Sequence, residues 1–288
     1  MAKGMLAGFY NIQIAFRDSN GYPMGQETDP DNVSAGTITS VYRMPNSVDL
    51  TPPAPSSVIA TNFGGQRIRG QVYLGVGDLG TGTMTVSEFD ETFHAYVTGS
   101  SVDTTTASGI SQTVDNTTTN SLPRFVMLAD VLFDNSVSGA TESLTFVFPN
   151  VQFRPQPTTL TQDGGVNPTP MTYEIIPSLS SNTGYGLTLA NTSLNATNNQ
   201  ALYVMLRGSN AYTLTTFVDD GADTDITMGF LPTSSVVDGS INIFSSNGAD
   251  DAADVSALST STGEATVVSG TSGDIRVFAY QTQFADIP

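Results

Sequence analysis

At 288 residues the chain is long enough for one large β domain or two smaller ones. Its 9 Lys+Arg stand against 27 Asp+Glu, a net charge of −18, so it lacks the broad basic surface that phosphate recognition needs, and specific DNA or RNA binding is not expected. Cys is absent and His94 is the sole histidine, which excludes a disulfide framework, a thiolate nucleophile and Cys-based metal sites, and nearly excludes two-His metal sites and His-relayed serine chemistry.

Residues 1–9 carry one positive charge and an apolar run shorter than a signal-peptide core, so no secretion signal is expected. No run of ~18 apolar residues occurs to span a bilayer. Hydrophobic residues make up 39% and charged residues 12%, and Thr, Ser, Asn and Gly dominate the rest, a composition suited to strands and turns. Blocks rich in β-branched and aromatic residues, bounded by Gly, Asn, Asp or Pro, predict strands over residues 10–17, 36–43, 57–62, 67–76 and 82–86. Ser87 then caps a helix running to residue 98. Glu88, Asp90 and Glu91 suit its first turn, Phe89, Phe93, Tyr96 and Val97 form one apolar stripe, and Gly99 serves as the residue past its end. His94 falls off that stripe, which predicts a helix-surface or interface position. Strands resume over 124–133, 142–153, 171–176, 184–190, 201–207, 212–218, 225–230, 240–244, 265–268 and 274–284. In the last, Ile275, Val277 and Ala279 alternate with Arg276, Phe278 and Tyr280, so apolar residues fall on both faces and the strand is expected to be covered on both sides.

Residues 18–34, 46–55, 101–121, 154–170 and 245–262 read as long polar loops, and loops above ~12–15 residues are commonly functional or ordered by a partner. Seven of the nine basic residues precede residue 178 and the Asp clusters follow it. The expected division is therefore a β domain over 1–178 and a C-terminal β domain over 179–288. Asp219, Asp220, Asp223 and Asp225 offer oxygen ligands for a hard cation, but they lack the EF-hand spacing and its distal Glu, and a solvated turn is the plainer reading. The same holds for Asp250, Asp251 and Asp254. Acid pairs for glycoside hydrolysis lack Trp platforms, and His94 has no visible partner nucleophile. No catalytic, cofactor-binding or metal residue is expected. Arg67 and Arg69, two apart on one strand, form a small basic strip that suits acids of a neighbouring subunit as well as it suits solvent. The candidate subunit contacts are Arg67 and Arg69, then Asn46, Asp49 and Leu50 of the loop 46–55, and Phe89 and Phe93 of the helix.

The run Glu142-Ser143-Leu144-Thr145-Phe146-Val147-Phe148-Pro149-Asn150-Val151-Gln152-Phe153 is followed by a loop with Asp163-Gly164-Gly165 and by Tyr173-Glu174-Ile175-Ile176-Pro177. This pattern resembles the tail tube (major tail) proteins of long-tailed bacteriophages, in which it precedes the end of the tube domain. The helix over 88–98 is similar to the lone helix that flanks the β-sandwich of that family. The likeness covers roughly residues 1–178. It implies a mainly β fold, a tail-tube-like β-sandwich or barrel with one flanking α-helix, to which this chain adds a C-terminal Ig-like β-sandwich region on the outside. It further implies homo-hexameric rings that stack on themselves and an acidic channel that DNA passes through without specific binding. The implied partners are tape measure and tail terminator or baseplate proteins, with no membrane, no cofactor and no enzymatic activity, in a virion tail assembled in the host cytoplasm. The alternatives are a phage head decoration protein, told apart by binding capsomers instead of forming stacked hexameric rings, and another surface-binding β-sandwich protein, for which Ca²⁺-dependent stability is the discriminating sign.

Overall fold

Alternation in Asn11-Ile12-Gln13-Ile14-Ala15-Phe16 sends Asn11, Gln13 and Ala15 to one face of a strand and Ile12, Ile14 and Phe16 to the other, and all six are buried. That strand is therefore covered on both sides, and the architecture grows outward from it. The computed structural model describes residues 4–17, 23–24, 41–44, 48–54, 57–64, 67–76, 80–87, 91–98, 122–135, 139, 141–156, 170–177, 203–208, 210–218, 224–227, 242–245, 255–267 and 275–283. In chain order the strands are β1 (Gly4–Arg17), β2 (Pro23–Met24), β3 (Val41–Met44), β4 (Val48–Thr51), β5 (Ser57–Gly64), β6 (Arg67–Val76) and β7 (Gly82–Val86). Helix α1 (Glu91–Thr98) follows, then β8 (Phe125–Asn135), β9 (Thr141–Pro155), β10 (Met171–Pro177), β11 (Val204–Gly208), β12 (Asn210–Val218), β13 (Thr224–Thr227), β14 (Asn242–Ser245), β15 (Val255–Leu258), β16 (Glu264–Val267) and β17 (Ile275–Gln283).

The fold is mainly β, with antiparallel pairing throughout. A nine-stranded sheet runs β2-β1-β8-β9-β10-β7-β4, with β3 also on β1 and β11 also on β9. Among the described residues no pairing closes it into a barrel. β9, at 15 residues, is long enough for one edge to take two strands in succession: β11 along Ser143–Val147 and β10 along Val151–Pro155. β1 and β8 slip register between Leu6 and Asn11, where Gly8 takes a φ of 107° that a side chain would resist.

Over one face of the big sheet, α1 lays Phe93, Tyr96 and Val97 onto Phe16, Phe125, Phe153 and Tyr173, all buried in one apolar cluster. Ring centroids lie 4.6 Å apart for Phe16–Tyr96 and 5.0 Å apart for Phe16–Phe125. The Tyr96 hydroxyl donates to the Ile14 carbonyl at 2.9 Å, so the phenol is buried without leaving its polar atom unpaired. Three smaller sheets complete the description: β12-β17-β14, β13-β16-β15 and the two-stranded β5-β6.

Three predicted loops contain strands, the first being residues 18–34, where the two-residue β2 pairs with Phe16 and Arg17 of β1. Residues 46–55 hold β4, whose Leu50 pairs with Met84 of β7 and is buried with it; four residues of alternation followed by Pro52-Pro53 are too short a signal to stand out. Residues 245–262 hold β15, paired with β16. The predicted strand over 184–190 lies outside the described residues. Strand pairing crosses residue 178, since β11 adds to the same sheet as β9. Beyond β11, Leu214 of β12 is bonded to side chains of β1 and β3.

Candidate functional site

The residues that the sequence nominates for subunit contact do not gather in one place. Arg67 and Arg69 lie on β6, where the register sets Arg67 opposite Gly64. The ladder then shifts between Asn62–Gly70 and Phe63–Ile68, which puts Arg69 at an irregularity of the strand. Asp49 sits exposed on the edge strand β4, paired with Thr85. Leu50 and Phe93 are buried at 9% and 1% exposure, and both side chains pack into this chain's own core. Asn46 and Phe89 lie outside the described residues.

The hairpin that carries the two arginines is distinctive in its pairing. β5 and β6 bond to each other from Ser57–Val76 to Gly64–Arg67, and among the described residues no third strand joins them. At ~3.3 Å per residue the ten-residue β6 reaches roughly 30 Å. A lone two-stranded ribbon is marginal in water, and its two outer edges offer unpaired N–H and C=O groups to another strand.

A second feature, buried in the molecule, was not singled out from the sequence. On the sheet face away from α1, Asn11, Asp130 and Thr145 stand side by side across β1, β8 and β9. Thr145 Oγ1 donates to Asp130 Oδ1 at 2.5 Å, Asn11 Nδ2 donates to Oδ2 at 3.0 Å, and Gln13 Nε2 approaches Oδ2 at 3.5 Å. Gln13 Oε1 accepts the Leu214 N–H at 2.7 Å, while Arg43 Nη2 donates to the Leu214 carbonyl at 2.7 Å. Asp130 is fully buried, and burial drives its pKa up to about 7 against the opposing pull of the Thr145, Asn11 and Gln13 hydrogen bonds and the Arg43 charge. Burial likewise lowers Arg43 from its ordinary value. The signal in the sequence was a single acid inside Phe125-Val126-Met127-Leu128-Ala129-Asp130-Val131-Leu132-Phe133, an apolar run in which a carboxylate needs partners.

His94, expected at the helix surface, is instead buried at 9% exposure, with Nδ1 3.0 Å from the Tyr173 hydroxyl. Burial holds its pKa below the ordinary imidazole value. The helical wheel puts it beside the stripe, and Tyr173 of β10 covers that flank as well, its ring centroid 5.9 Å from the imidazole's. Of the Asp-rich turn, Asp219, Asp220 and Asp223 lie outside the described residues, whereas Asp225 is exposed and accepts from Thr266 Oγ1 at 2.6 Å. Among the described residues no three His, Asp or Glu side chains are grouped to hold a metal ion, and no helix is long and apolar enough to cross a membrane.

No family model, curated protein or solved structure matches the chain.

Proposed function

We propose that this chain is a structural subunit that self-assembles into stacked hexameric rings, forming the tube of a phage tail and the channel for DNA during ejection. The β5-β6 hairpin carries the reading: a ribbon of this length, outside every larger sheet among the described residues, gains its stability by pairing with or packing on another subunit. Helix α1, packed across a large antiparallel sheet, fits the flanking helix of the tail tube family, and a charge of −18 fits a wall that DNA slides past without sticking. In this reading the nine-stranded sheet with α1 is the ring-forming body. The region after residue 178, which holds the β12-β17-β14 and β13-β16-β15 sheets, is the Ig-like addition, with β12 seated on the big sheet. The subunit needs no cofactor and catalyses nothing. Tape measure and terminator or baseplate proteins meet the ends of the tube, in a tail assembled in the host cytoplasm.

Sedimentation velocity over rising protein concentration tests this. A hexamer and larger stacks are expected, and a monomer at every concentration contradicts it. The two three-stranded sheets after residue 209 favour a second reading, a head decoration or other surface-binding β-sandwich protein. That protein binds capsomers or a cell surface as a discrete particle and forms no stacks.

A further inference from the structure

Leu214 marks where β12 meets the big sheet, and side chains do there what a strand ordinarily does. Its N–H is taken by Gln13 Oε1 and its C=O by Arg43 Nη2, each at 2.7 Å. Gln13 is presented in that orientation because its other end, Nε2, leans on Asp130 Oδ2. Of the two bonds that tie Leu214 to the big sheet, the one from Gln13 is thus set up by a carboxyl group, while the one from Arg43 is direct. We propose that Asp130 is a proton-operated latch: the layer is held closed on the big sheet while this carboxyl keeps its proton, and it opens as the proton leaves.

The neutral acid fits the cage without a conflict. With the proton on Oδ1, the Thr145 hydroxyl rotates to accept it, and Oδ2 goes on accepting from Asn11 and Gln13. The carboxylate fits less well, because it is a charge at zero exposure and its nearest cation, Arg43, reaches it through Gln13. Water relieves that charge only if β12 and β17 lift away. Closure already carries a cost of its own, since Thr213 Oγ1 on β12 is buried with no hydrogen-bond partner among the described residues.

The carboxyl is bonded to Asn11 and Gln13 of β1 and to Thr145 of β9, and Arg43 of β3 is the charged group that acts on it. From β17 comes Tyr280, which acts in turn on Arg43 and whose hydroxyl is 3.2 Å from Thr215 Oγ1 of β12. Guanidinium groups stay protonated and phenols titrate near pH ~10, which leaves Asp130 as the group of this set that changes charge between acid and neutral pH. Its proton is bound in the closed state up to about pH 7, whereas the ordinary value is 3.8. Between those limits the closed state holds a proton that the open state has lost. Opening is therefore favoured as pH rises, by up to about tenfold per pH unit, and levels off above about 7.

Hydrogen exchange of β12, followed by mass spectrometry at pH 5 and pH 7 and corrected for the intrinsic rate, reads the latch at the Leu214 amide. Opening is expected to rise on the order of tenfold or more over that interval in the unaltered chain. In Asp130→Asn it is expected to stay flat, because the amide oxygen keeps Asn11 and Gln13 bonded and the amide N–H serves Thr145. An unaltered chain whose corrected exchange does not change with pH overturns the proposal, as does an equal rise in Asp130→Asn. Should that variant fail to fold, carbon NMR of the Asp130 carboxyl in the unaltered chain decides. A midpoint near 7 supports the latch, and one near 4 overturns it.

Discussion

Phe125 is the residue on which the helix and the big sheet agree. It is fully buried, with ring centroids 5.0 Å from Phe16, 5.4 Å from Tyr96 and 5.6 Å from Phe153, so three separate elements close around it. None of them can collapse alone into the space a smaller side chain leaves. Phe125→Ala is expected to cost about 3–5 kcal/mol of stability, read from the urea midpoint at unchanged slope. A loss below ~1 kcal/mol contradicts this packing. Gly80 is a different kind of constraint. Its φ is +67°, and a Cβ there falls 1.9 Å from the Ala54 carbonyl oxygen, so any side chain must push the corner after β4 away from β7. Gly80→Ala is expected to destabilise by more than ~1 kcal/mol in the same measurement.

His94 and Asp130 give the residue scale its pH dependence, with opposite signs. The imidazole is held below its ordinary value by burial, so the stability it contributes is complete above pH ~6.5 and drains away as pH falls. Asp130, raised, adds stability in acid that is lost as pH climbs toward about 7. The two partly cancel in a global melting curve. His94→Gln is expected to remove that acid-side loss, so that the change in melting temperature from pH 7 to pH 5 is more favourable in the variant than in the parent; an equal change in both contradicts the assignment.

At the scale of elements, the β5-β6 hairpin is the part to which the proposed assembly gives a partner. Ile59 pairs with Tyr73 near the middle of the ladder, and proline there removes a ladder donor and bends the strand. Ile59→Pro is expected to abolish the assembled species in sedimentation while shifting the melting temperature by no more than a few degrees. A cooperative loss of the whole fold contradicts an arm separate from the core. Both strands of this hairpin were legible in the sequence, as were β7, β9, β10 and the helix, because their apolar residues recur at the period of the element that forms. β4 and β15 were not, since four residues inside polar, Pro- or Asp-rich surroundings carry too little pattern; what makes them strands is a partner, β7 or β16, far along the chain. The nominated contact residues divide along the same line. Arg67 and Arg69 were readable as strand positions, but the register shift beside Arg69 depends on β5, and the burial of Leu50 depends on Met84 of β7. The Asp130 cage was the least legible feature, because five side chains from four strands meet only after the sheet forms.

The whole molecule carries a charge of −18, and among its described residues a large antiparallel sheet is backed by α1 while the β5-β6 ribbon joins no third strand. A strongly acidic subunit repels its copies at low salt, so assembly is expected to strengthen as ionic strength screens the charge. The direct test is negative-stain electron microscopy of the purified chain at rising concentration and moderate salt, with rotational averaging of the particles. The account predicts sixfold rings around an open channel that stack into hollow tubes. Particles that stay single, or that average to another symmetry with no central channel, contradict it.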